Sequence, residues 1–191
     1  MFRFSRVCAL IILPVFSWAF TLQAARSGHP AVGVQGVAPA LCIFAPARAA
    51  QASNMALGTA SGTHNILSIN KLADPATAQV LAASIRVSLK GLCNHAHAFS
   101  ISTKSGGLQT GARAEGFSSH VDYSVTASWA SSVNLQTSGV PGQTTPESIT
   151  SGAFAGNLEL DITVGSNGAN GLPLLSGAYS DNLLVRFKPL I

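Results

Sequence analysis

Charge is what this chain of 191 residues has least of: only 9% of its residues are Asp, Glu, Lys or Arg. No basic cluster forms and no aromatic run interleaves with the cations, so nucleic-acid binding has no support. The seven acidic residues are too scattered for a paired general acid and base, and neither a phosphate-cradling glycine loop nor a nucleophile elbow is present. Aromatics make up 7%, with two Trp and two Tyr, and no repeat or heptad pattern occurs. Long apolar runs are missing too. The longest, Val7 to Phe20, is about 14 residues and is broken by Pro14, short of the roughly 20 that cross a bilayer.

That run has a different use. Arg3 and Arg6 precede it and the small residues Ala24 and Ala25 follow, the layout of a secretory signal peptide. Residues 1–24 are expected to be removed after Ala24, leaving an exported protein with no membrane span. A second small-x-small site, Ala47-Arg48-Ala49, lies too far from the apolar run to be favoured. What remains is a net charge of about +2 and one domain, residues 42–191, preceded by an extension, residues 25–41.

Cysteine usage agrees with export. Of three cysteines, Cys8 falls in the signal run, which leaves Cys42 and Cys93 as an even pair in an oxidising compartment. A bridge between them is expected, the competing reading being two buried free thiols.

Strand signals dominate the rest. Ile85, Val87 and Leu89 alternate with Arg86, Ser88 and Lys90, and the same parity carries Cys93 to the core side. Phe99 and Ile101 alternate with Ser100 and Ser102. Val121, Tyr123, Val125, Ala127 and Trp129 share one face, and Leu158, Leu160, Ile162 and Val164 another. Tyr179, Leu183, Val185 and Phe187 lie on one side of a last strand, opposite Ser180, Asn182, Arg186 and Lys188. Turn residues at 105–107, 138–142 and 166–171 separate these runs. Ala73 to Ala83 reads either as one short helix or as an Ala-rich loop. The expected fold is all-β, a single immunoglobulin-like antiparallel sandwich. Nothing substantial follows the last strand, so the sheet that contains it is expected to stay open there.

Four separated motifs carry a resemblance: Cys93-Asn94-His95-Ala96-His97-Ala98-Phe99-Ser100-Ile101, Gly106-Gly107-Leu108, Val121-Asp122-Tyr123-Ser124-Val125 and Gly177-Ala178-Tyr179-Ser180-Asp181. In order and spacing they resemble the spore coat protein U domain family, from about Ile66 to Phe187. The resemblance implies a secreted sandwich that lacks its final strand and serves as a pilus or coat subunit. Its implied partners are a periplasmic chaperone, an outer-membrane usher and sister subunits, one of which fills the gap with an N-terminal donor strand. Tyr179, Leu183, Val185 and Phe187 would then flank the acceptor groove.

Within the extension, Val32, Val34 and Gly36 lead a row of small apolar residues that continues through Ala38 and Ala40 on one face of an extended segment. The segment reads either as a donor strand or as a small-residue tail; Pro39 limits any strand to the part before it. The stretch after Cys42 lacks the Phe-Gly pair usual in that family.

Catalytic and metal-binding readings are weaker. Ser68-Ile69-Asn70-Lys71 and Lys104-Ser105-Gly106 fit fragments of a serine acyltransferase pattern, but that chemistry needs Ser68 and Lys71 on one helical turn, and this stretch reads as extended. His95 and His97 share a strand face and His120 lies elsewhere, too few ligands for a closed metal site. The expectation is a non-enzymatic structural subunit without cofactor or metal, with a monomeric secreted or periplasmic sandwich that binds a ligand as the alternative.

Overall fold

The computed structural model describes residues 35–58 and 64–190. The chain divides into a unit Met1–Val37, almost all of it outside the described residues, and a unit Ala38–Ile191 that holds the fold. Among the described residues every regular element is a strand and every ladder is antiparallel.

The larger sheet is built on two long strands, β5 (Ala83–Cys93) and β12 (Phe154–Val164), paired along their whole length. On the far side of β12 lie β9 (Ser124–Trp129) and β10 (Ser131–Gln136), joined by a tight turn at Ala130, which takes a positive φ of 54°. On the far side of β5 the chain enters as β1 (Cys42–Phe44), breaks at residues 45–47 and resumes as β2 (Arg48–Ser53), so both pair with β5 in turn. The smaller sheet runs β11 (Ser148–Thr150), β6 (His97–Thr103), β13 (Leu183–Pro189). Two short ladders complete the set, β3 (Met55–Leu57) with β4 (Leu67–Ile69) and β7 (Leu108–Gln109) with β8 (His120–Val121).

Alternation in the sequence decides which faces meet. Ala83, Ile85, Val87 and Cys93 of β5, with Val125, Ala127 and Trp129 of β9, turn inward and are buried. From the smaller sheet come Phe99 and Ile101, and the two inner faces close over them. Trp129 is the pillar between the layers: its ring centroid lies 4.7 Å from that of Phe154, 5.3 Å from Phe44 and 5.6 Å from Phe187. Gly91 makes room for this cluster, since a Cβ there would stand 2.4 Å from the Phe44 ring.

The sulfurs of Cys42 and Cys93 are bonded, across paired positions of β1 and β5. The bridge staples the first strand, whose sequence lacks the expected pattern, directly to the core sheet. Of the stretch Ala73 to Ala83, all but Ala83, which opens β5, is a loop: Ala73 bridges to Val80, and the Asp74 carboxylate accepts bonds from the Ala76 and Thr77 amides at 2.9 Å each. Ala content favours a helix there, but the Asp74 turn and the positive φ of Ala78 (56°) win.

Candidate strand-addition site

β13 is an edge strand. β6 occupies one side of it, and among the described residues no strand pairs with the other. The ladder shows which backbone groups face the open side. Lys104 N–H donates to Asn182 O and Leu190 N–H to Ala96 O, both at 2.9 Å, so even-numbered positions of this register face β6. Backbone direction alternates along a strand, and the odd positions therefore point their groups outward. Leu183, Val185 and Phe187 each present an N–H and a C=O to the open edge, while Pro189 presents only a C=O.

The same three residues turn their side chains toward the interior, and all three are only half-buried, whereas Leu184, Arg186 and Lys188 are exposed. Phe187 reaches furthest in, 4.7 Å from Phe44, 5.2 Å from Phe99 and 6.0 Å from His97 between ring centroids. The Phe44 contact brings β1 and β13 to the same flank of the sandwich. On that flank β2 is exposed along its whole length, and Leu89 of β5 is an inward-facing residue left only partly buried.

Two polar devices hold this flank in shape. At the entrance to β13, the Asp181 carboxylate gathers donors from the end of β6, the loop after it, the segment before β9 and its own neighbour: the Thr103 hydroxyl, the Tyr123 hydroxyl at 2.8 Å, and the amides of Ser105 (2.8 Å), Gly107 (3.1 Å) and Asn182 (2.7 Å). Partial burial pushes the Asp181 pKa up, but the bonds from Thr103, Ser105, Tyr123 and Asn182 outweigh it and hold the carboxyl below its ordinary range. Burial pushes the Tyr123 hydroxyl up, so it stays a donor. At the far end, His97 is fully buried: its Nδ1 bonds the His95 carbonyl at 2.8 Å, and its Nε2 accepts the Trp129 indole N–H at 2.7 Å. That pairing fixes the tautomer, with the proton on Nδ1.

The residues singled out from sequence fall as follows. Leu183, Val185 and Phe187 lie together on β13. Tyr179 lies before the strand, its hydroxyl donating to the carbonyls of Ser118 (2.8 Å) and Leu175 (2.9 Å), so it anchors the approach to β13 and is not part of the ladder. Gly36 is exposed and outside regular structure; Val32 and Val34, like residues 1–24, lie outside the described residues. Asn94 ties down the end of the extension, donating to Pro39 O at 2.9 Å and accepting from Leu41 N–H at 2.8 Å. Ser68 lies in strand β4 with Lys71 beyond it. His120 bonds Asp122 at 2.6 Å, and among the described residues no group of three or more His, Cys, Asp or Glu could hold a metal ion. No helix there is long and apolar enough to cross a membrane.

Sequence reasoning missed Asp181 and the His97–Trp129 pair as the groups that organise the edge. A carboxylate at an inward-facing parity just before an apolar strand was the available signal for the first. The chain matches no protein-family model, no curated protein and no solved structure.

Proposed function

We propose that this chain is an exported structural subunit of a surface pilus or coat, assembled by strand addition at β13. A periplasmic chaperone would occupy the edge first, and the N-terminal extension of a sister subunit would replace it at an outer-membrane usher. The observation that carries this reading is the coincidence on one strand of backbone groups that no strand pairs among the described residues and half-buried apolar side chains at Leu183, Val185 and Phe187. Backbone bonds supply general affinity there and alternate side chains supply register. The disulfide fits an oxidising compartment, and the resemblance in the four motifs supports an immunoglobulin-like sandwich with its final strand missing.

The test uses a variant lacking residues 25–41, which keeps the edge but cannot donate. Mixed with a synthetic peptide of residues 25–41, it is expected to form a one-to-one complex that resists detergent and melts at higher temperature. A scrambled peptide should do neither. Failure of the native peptide to bind, with the variant melting as a soluble cooperative monomer, would favour the monomeric ligand-binding sandwich instead.

A further inference from the structure

The break between β1 and β2 leaves a cleft on the outer face of the larger sheet, the face turned away from the core. Its volume is about 300 Å³, and Ala45, Pro46, Arg48, Ser88, Lys90 and Asn157 line it. Sheet register dictates the grouping: Arg48 is paired with Ser88, Lys90 with Asn157, and Ser88 and Lys90 share the outward parity of β5. Four side chains able to donate hydrogen bonds are thus brought into two adjacent rows, and no carboxylate lines the cleft. Among the described residues neither Arg48 nor Lys90 forms an ion pair, whereas the neighbouring Arg86 is held by Asp161 at 2.6 Å.

We propose that this cleft binds a small anionic molecule, a phosphate-bearing or carboxylate-bearing compound of about monosaccharide size. The guanidinium of Arg48 offers a planar fork to two oxygens of one anionic group, and Lys90 adds a point charge beside it. The Ser88 hydroxyl and Asn157 amide supply neutral bonds to the body of the ligand, with Ala45 and Pro46 as an apolar wall. The volume sits at the small end of ligand sites. Glu159, paired with Ser88 from the β12 side, is an acidic neighbour of the cleft and disfavours anions.

The experiment follows backbone amide chemical shifts of protein purified from cells expressing the full chain, titrated with inorganic phosphate, with glucuronate and with neutral glucose. Saturable shifts at Ser88, Lys90 and Asn157 are expected with at least one anion and not with glucose, and the anion that saturates identifies the source. Arg48→Gln with Lys90→Gln should weaken binding at least tenfold while leaving the melting temperature unchanged, since both side chains are exposed. Glu159→Gln should tighten it. Absence of saturation by either anion, or shifts that persist in the double variant, would overturn the proposal.

Discussion

Asp181 concentrates more structural consequence than any other polar side chain on the β13 flank. Replacing it by Asn removes the charge that the Ser105 and Gly107 amides and the Tyr123 hydroxyl bond to, and leaves donors in a partly buried setting without a good acceptor. Asp181→Asn is expected to cost about 2 kcal/mol in chemical denaturation. Because the folded-state pKa lies below the unfolded one, the carboxylate contributes stability that is complete above the ordinary Asp range and is lost as pH falls through the lowered value. A plot of stability against pH should therefore fall less steeply on the acid side in the Asn variant. The parity of Asp181 was the one sign in the sequence; its set of donors was not legible, because they come from positions as far apart as Thr103 and Tyr123, which only the tertiary fold brings to residue 181.

Strands differ in how openly they announced themselves. β5, β9 and β12 bury chiefly one face, while β6 is buried at both parities from His97 to Ile101; all four carry alternation over most of their length, so their existence and inward faces were legible. β10 was not: Val133 and Leu135 are its only apolar residues, set among Ser, Asn and Gln, and its pairing with β9 decides it. β1 and β2 were hidden for other reasons: β1 is only three residues long and is held by the disulfide and the β5 ladder, and the alanines of β2 carry little periodic signal. The last strand was legible in type and parity, but it starts at Leu183 because Asp181 and Tyr179 bond to other elements first. At this scale Phe187→Ala is expected to destabilise by about 2 kcal/mol, below the cost of a fully buried aromatic because Phe187 is half-buried. Leu184→Ala, 50% exposed on the opposite face, should change stability by under about 0.5 kcal/mol. Denaturant titration of the two variants separates the faces of one strand.

For the whole molecule, the bridge between Cys42 and Cys93 closes 51 positions of sequence and restrains the unfolded chain more than any local contact. Chain-entropy arithmetic puts its contribution at about 4 kcal/mol. The double variant Cys42→Ser, Cys93→Ser should lose stability of that order and free β1 from the sheet, a change visible as faster amide exchange at Ile43 and Ala45, whose N–H groups face β5, than at β12. Sequence predicted the pairing and the all-β fold; it could not predict that the stapled strand and the open strand share a flank, which follows from the packing of Phe44 on Phe187. Those same odd positions of β13 impose a condition on any visitor: in an antiparallel ladder, the residue that satisfies the amide of Val185 must aim its own side chain into the sandwich beside it. Grip and plug are thereby inseparable, and a polar guest that holds the backbone would have to bury what it cannot bond.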